Sequence, residues 1–271
     1  NTIKKDKEKI LAEFSVVRQQ NLFNKDLHEV VMIADKDGNI LNTSGAASNI
    51  PLAAGEVTGY KHIHKFGATD GDVTSGIVWD GNDDTDGYPT TIAGFPSVSS
   101  SANAGDLVVL EGLDENYEEI TETVAIGSTA TNEFIRVFRA YMVDTINTAD
   151  VNIVMLFVNV GKILAGNGQT LMAVYCVPAG KTAYLTKLTL GSDKASTNSA
   201  MTYNLLAREV LDGGVFRIKG RFNSAGGQNI LMEYPVPLVF TEKTDIHIDV
   251  TAAQAASVSA TFDLIIVDNP A

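Results

Sequence analysis

From residue 106 to the carboxy terminus the chain alternates apolar and polar residues and hardly ever shows a helical period. In VSATFDLIIV, Val258, Ala260, Phe262, Leu264 and Ile266 fall on one side of an extended chain; Ser259, Thr261 and Asp263 fall on the other. Successive side chains of a strand point to opposite faces, so this pattern specifies a strand with one buried and one wet face. DIHIDV repeats it, with Ile246, Ile248 and Val250 opposed to Asp245, His247 and Asp249. Further strands are predicted at TLMAVYCV, TAYLTKLTL, MTYNLLARE, VFRIKGRF, NILMEYP and PLVF, with PAG, DGG and AGG between them. Eight short strands with glycine turns and no intervening helix argue for an antiparallel sandwich of jelly-roll type. Upstream, DLVVLEG and YEEITETVAI flank the acidic tip LDEN as a hairpin, and EFIRVFRAYMV and VNIVMLFVNV read as two more strands. The glycine-rich GKILAGNGQT marks a boundary near residue 166.

The first sixty residues read differently. Ile3, Ile10, Phe14 and Val17 recur at helical spacing, which predicts an amphipathic helix over residues 3–20. Lys4–Glu8 and Lys9–Glu13 are favourable i,i+4 pairs, but basic residues crowd the first turns, where the helix dipole disfavours them. Such a helix needs a partner surface, either its own domain or another chain. Asp37-Gly38 between two apolar runs is a hairpin signal, because glycine accepts positive φ. Residues 42–58 then read as a linker. The expected architecture is all-β: an acidic unit over residues 60–166 and a jelly-roll-like unit over 167–271, two antiparallel sandwiches in tandem. A helical arm, hairpin and linker over 1–59 precede them.

Charge narrows the partners. The chain carries a formal net charge of −13 in 271 residues. Residues 66–131 hold 13 acidic side chains and no basic one, so the remainder is balanced, with 33 − 13 = 20 acidic against 20 basic. Direct nucleic-acid binding is not expected, since phosphate contacts need clustered lysine and arginine. No apolar run is long enough to span a bilayer, so no membrane partner is expected. The single cysteine, Cys176, permits no intrachain disulfide and sits in TLMAVYCVPAG as a small hydrophobe. That fits assembly in a reducing cytoplasm.

Several residues are candidates for chemistry. His62 and His64 lie two apart and would share one face of a strand, where both rings could reach one metal. Lys61 and Lys65 flank them and oppose a cation. In DGNDDTDG, Asp80, Asn82 and Asp84 take alternate positions of a calcium loop, yet Thr85 replaces the required glycine and Thr91 the bidentate glutamate. The bland readings are a polar strand surface and a solvated loop, with no cofactor and calcium as the alternative. Trp79 is either core or an exposed anchor for a protein or a sugar. His247, beside Asp245 and Asp249, reads as a surface histidine whose neighbours favour its protonated form. Arg136 and Arg139 interrupt an apolar strand on opposite faces, as charges paired across a chain interface or within the domain. No nucleophile elbow, P-loop, dinucleotide fingerprint or zincin motif occurs, and no carboxylate pair can be assigned to hydrolysis from spacing alone.

Several phrases, taken together, add a resemblance. They are HKFGATDGDVTSGIVWDG with YPTTIAGFPSVSSSANA, VVLEGLDENYEEITETVAI and FIRVFRAYMV. The carboxy half adds GNGQTLMAVYCVPAGKTAYLTKL, VFRIKGRF and YPVPLVFTEKTDIHIDVTA. Over roughly residues 60–268 the chain resembles a family of virion structural proteins of tailed bacteriophages, common in marine and cyanobacterial phages. The resemblance implies a non-enzymatic particle component, assembled in the host cytoplasm and bound to other capsid or tail proteins. Capsid decoration and a tail or neck accessory are the roles it favours. The alternative is a receptor- or glycan-binding sandwich of a tail fibre, with Trp79 at its site. Analogy with decoration and fibre proteins adds a homo-oligomer, a trimer first.

Overall fold

A computed structural model describes residues 16–18, 31–34, 40–41, 49–81, 92–193, 200–209, 214–225 and 227–270. The chain divides into two units, Asn1–Lys61 and His62–Ala271. In the first, β1 (Val16–Arg18), β2 (Val31–Ala34) and β3 (Ile40–Leu41) form an antiparallel sheet in that order. The β2–β3 pairing is the hairpin expected around Asp37-Gly38, which themselves lie outside the described residues. The helix expected over 3–20 is corrected at its end: residues 16–18 are extended, in keeping with two adjacent β-branched valines. Val17 sits in this strand, and Ile3, Ile10 and Phe14 lie outside the described residues. Within the expected linker a short helix, α1 (Asn49–Ala53), carries Pro51 in its first turn and ends before Gly55, at φ 72°.

The second unit is all-β, and its ladders of defined register are antiparallel. Its first sandwich faces two three-stranded sheets. One has the order β11 (Val158–Ile163), β10 (Val151–Met155), β6 (Ser97–Ser100); the other is β8 (Glu119–Ala125), β7 (Leu107–Leu113), β9 (Arg136–Met142). Between them lies a core of Val98, Val108, Leu110, Phe134, Val137, Ile153 and their neighbours. The second sandwich sets β12 (Val174–Cys176), β17 (Thr244–Ala256), β14 (Ala200–Glu209) and β15 (Arg217–Ala225) against a second sheet. That sheet runs β16 (Ile230–Phe240), β13 (Lys181–Ser192), β18 (Val258–Asp268), β4 (Tyr60–Ala68). The strand β5 (Val73–Ile77) adds to β17. The apolar rows read from the sequence, 246/248/250 and 258–266, face this core. The predicted strands NILMEYP and PLVF are one strand, β16, whose register against β13 jumps between Glu233 and Leu238.

Three features depart from the sequence expectation. First, β4 and β5, grouped there with the acidic unit, are built into the second sandwich. Gly67 makes this closure feasible: a Cβ on it would lie 2.2 Å from the Ala173 nitrogen and 2.5 Å from the Val78 carbonyl oxygen. Second, VNIVMLFVNV is a hairpin, not a strand. Its turn is Leu156-Phe157, both at positive φ (54° and 68°), where hairpins ordinarily place Asn or Gly. Bulky residues in this region cost about 1 kcal/mol or more each, so nothing in the turn chemistry announced it.

Third, β9 carries a bulge. Gly112 pairs with Val137 and Glu111 with Arg139, so Phe138 is an extra residue that resets the alternation. Val137, Ala140 and Met142 point into the first core, while Phe138 joins the second. The bulge puts Arg136 and Arg139 on the same side of the sheet, correcting the opposite faces expected from strict alternation. Gly112 is required beside it, because a Cβ there would fall 1.9 Å from the Arg136 carbonyl oxygen. Gly112→Ala is expected to cost about 3 kcal/mol, a backbone clash at the top of the range for overpacking. Gly161→Ala, whose Cβ would meet only Ile153 side-chain atoms from 3.3 Å outward, is the mild control. Urea midpoints of the two variants check this.

Candidate functional site

The most convergent set of charged groups among the described residues lies where the two sandwiches meet. Arg136 leaves β9 and reaches Asp245 on β17: Nε donates to Oδ1 at 2.6 Å and Nη2 to Oδ2 at 2.8 Å. Arg208 on β14 donates to the same Oδ2 from Nε (3.1 Å) and Nη2 (2.8 Å). Asp245 is fully buried and the Arg136 side chain is 1% exposed. Bidentate pairing of this kind is the geometry in which arginine holds a carboxylate best. Arg136 is thus paired within the chain, correcting its candidacy as an interface residue. Cys176, opposite Asp245 on β12, has its thiol pushed well up by burial first and by Asp245 second.

Aromatic rings close the site. The β7–β8 hairpin turns through Tyr117 at φ 66°, held by Asp114, which accepts from the Asn116 and Glu118 amides at 2.8 and 2.9 Å. The Tyr117 carbonyl accepts from Ala179 at 2.8 Å. Its ring lies 5.6 Å from the Arg136 guanidinium and 5.4 Å from Lys243 Nζ. On the far side Phe216 stacks 4.9 Å from Arg208 and 4.5 Å from the ring of His247.

His247 corrects the surface reading. It is 6% exposed, its Nδ1 has no hydrogen-bond partner, and burial lowers its pKa to about 4; Asp245 raises it and Arg208 lowers it further. The Phe216 ring packs against it on the outward face of β17, which the local sequence could not reveal.

Other ties cross the same junction. Lys65, buried on β4, donates to the Phe138 carbonyl, and its Nζ lies 5.4 Å from the Phe138 ring. Burial brings its pKa down to about 7, with Arg139 adding to the fall and Glu111 opposing it. Lys162 on β11 reaches Asp70 at 2.8 Å and Asp150 at 3.6 Å. Asp80 is completely buried: Oδ2 accepts from the Leu171 amide at 2.8 Å, while Oδ1 has no partner. Burial raises its pKa to about 8, against the Leu171 bond and the Lys162 charge.

The remaining sequence candidates are placed as follows. Trp79 is 2% exposed, bridges to Met172 and covers Gly81, so it is core and not an exposed anchor. Arg139 pairs with Glu111 at 3.3 Å and lies 4.6 Å from the Tyr141 ring, again within the chain. His62 and His64 share a face as expected, but converge on Asp263 Oδ1, at 3.2 and 2.6 Å. Lys187 stands opposite Asp263 on the next strand. Of the calcium-loop candidates, Asp80 is buried on the Leu171 amide, and Asn82 and Asp84 lie outside the described residues. Among the described residues no three His, Cys, Asp or Glu side chains are placed to hold a metal.

No family model and no curated protein matches the chain. Solved structures give remote likenesses to the particles of a virus. T=1 particles derived from infectious bursal virus match at 14% identity over 78% of this chain and 74% of that one, with a TM-score of 0.20. The Gt strain of infectious bursal disease virus matches at 16% identity over 78% and 72%, with a TM-score of 0.22. Scores this low do not mark a shared fold.

Two outcomes are expected. Arg136→Met strips one guanidinium from a buried carboxylate and should cost about 3 kcal/mol; Asp245→Asn, which leaves two guanidiniums facing a neutral amide, should cost about as much or more. Chemical denaturation of both variants checks this. His247 binds a proton in the unfolded chain below its ordinary pKa of 6.5, but in the native state only near 4. Its contribution is therefore fully present above pH 6.5 and is lost as pH falls toward 4. The stability difference between wild type and His247→Phe should change over that window, whereas Asp80→Asn should differ from wild type in the opposite sense. A raised carboxyl pKa means stability lost as pH rises between about 4 and 8.

Proposed function

We propose that this chain is a non-enzymatic structural component of a tailed-phage particle, bound to other capsid or tail proteins. The observation that carries the reading is how the buried charges are used. The convergent set at Asp245 is saturated by two arginines and closed by Tyr117 and Phe216, so its chemistry joins two sandwiches and leaves no reacting position. The sequence phrases over residues 60–268 supply the phage-virion context, and the all-β architecture is compatible with it. Capsid decoration or a tail-neck accessory remains the favoured role, with self-association into a homo-oligomer. The fibre reading loses the anchor it was built on, because Trp79 is in the core.

The test is quantitative mass spectrometry of purified particles with immunogold labelling. The expected result is a fixed stoichiometry that survives a high-salt wash and gold at one location, head, neck or tail. A chain confined to the lysate and missing from washed particles would overturn the proposal.

A further inference from the structure

Gly161 and Ile163 of β11 pair with Ile153 and Val151, and the isoleucines and the valine belong to the first core. Lys162 lies between them and so points to the opposite face of the sheet. There it meets the turn between β4 and β5 of the second sandwich, and its Nζ lies 2.8 Å from Asp70 Oδ2. The Lys162 side chain is 10% exposed. The turn is fixed on its other side: the Thr69 amide donates to the Val258 carbonyl at 3.0 Å, and the Val258 amide donates to Thr69 Oγ1 at 3.1 Å. Asp150 stands farther off, 3.6 Å from Nζ, and its Oδ1 accepts from the Ala165 amide at 2.9 Å.

A third carboxyl makes this more than an ion pair. Asp80 is completely buried and its Oδ1 has no hydrogen-bond partner. It is close enough that the Lys162 charge lowers its pKa and the Asp70 charge raises it, but burial dominates and brings it to about 8. At pH 7 it is a neutral acid beside an amine and a carboxylate. Such a group can give a proton to a departing oxygen and take one from a nitrogen, which is what condensation of the two requires. Reactants held at contact distance also react as if at very high concentration. The Lys181–Asp268 pair is equally short, at 2.7 Å, but its side chains are 29% and 57% exposed, so it is an ordinary solvated pair.

We propose that Lys162 and Asp70 condense to an isopeptide bond that ties the two sandwiches covalently, with Asp80 relaying a proton. Within the ion pair one proton passes from Nζ to the carboxylate. The amine then attacks the Asp70 carboxyl carbon, and Asp80 gives a proton to the departing oxygen as it takes the second proton from nitrogen. The C–N bond forms, the C–O bond breaks, one water leaves and Asp80 ends as it began. No oxidant and no further reactant is needed. Asp70, 37% exposed, leaves the water a way out. The bond would close a loop between residues 92 apart in sequence.

The experiment is intact mass spectrometry of the purified full chain, denatured after incubation at neutral pH, with tryptic peptide mapping. Wild type is expected below its sequence mass by one water, with Lys162 uncleaved and joined to the peptide 66–136 that carries Asp70. Lys162→Arg and Asp70→Ala each remove a reactant and should keep their full mass. Asp80→Asn should cross-link about a hundredfold more slowly, as for loss of a general acid. A wild type at full sequence mass overturns the proposal, as does a link to Asp150. A water loss that survives Lys162→Arg also overturns it, because ring closure at an Asp-Gly step such as Asp70-Gly71 loses water without the lysine. An Asp80→Asn chain that links at the wild-type rate overturns the relay. The wild-type map decides on its own, so a variant that folds poorly leaves the test intact.

Discussion

The pairing of Arg136 with Asp245 is the constraint around which the second unit is arranged. Two sandwiches, each with its own apolar core, have no inherent reason to adopt one mutual orientation, because apolar burial is non-directional. A buried ion pair is directional. It tolerates only the arrangement in which both guanidinium nitrogens meet both carboxylate oxygens, and any slip leaves a charge stranded in a dry place. The surrounding parts serve that arrangement. The Phe138 bulge turns Arg136 away from its own core, Gly112 leaves room for the bulge, and Tyr117 is held in a strained backbone conformation where its ring covers the guanidinium.

The junction is richer in buried charge than the two cores it joins, although Leu113, Ile135 and Phe138 of the first sandwich also pack into the second core. Lys65, Lys162, Asp80, Arg136 and His247 are all buried or nearly so. Three of them, Lys65, Asp80 and His247, have pKa values displaced by burial toward the neutral form. Burial of this kind is costly where partners are missing, as at Asp80 Oδ1 and His247 Nδ1. The fold therefore spends part of what its apolar cores supply on fixing a geometry.

What the sequence could reveal follows from range. Strict alternation in residues 258–266 and 246–250 needs only the local chain, and both rows face the core as read. The place of β4 in the second sandwich escaped because its inward positions near the end are Lys65 and Gly67, a buried amine with a carbonyl partner and a glycine under a neighbouring backbone, neither of which has an apolar signature. Arg136 carried a signal, a charge inside an apolar strand, but its partner is 109 residues away. His247 looked exposed since alternation defines a face without saying what covers it. The single-residue bulge at Phe138 then inverted the inference about Arg139, as any one-residue shift in a strand must.

The hairpin at Leu156-Phe157 shows the same limit from the other side. Turn recognition works because Gly, Asn and Asp relieve the cost of positive φ, so a turn made without them is invisible to it. The same absence gives the turn its information. Where chemistry and conformation agree, as at the glycine turns of the second sandwich, a residue is accounted for by the fold. Where they conflict, as with a leucine and a phenylalanine held left-handed in water, the fold alone would favour replacement. Among the described residues that stand against local preference are Tyr117, which covers a buried arginine, Lys243, whose Nζ lies over the Tyr117 ring, and the Leu156-Phe157 pair. The first conflict is resolved by a contact within the chain. The second is not resolved in that way among the described residues, where Phe157 is fully exposed.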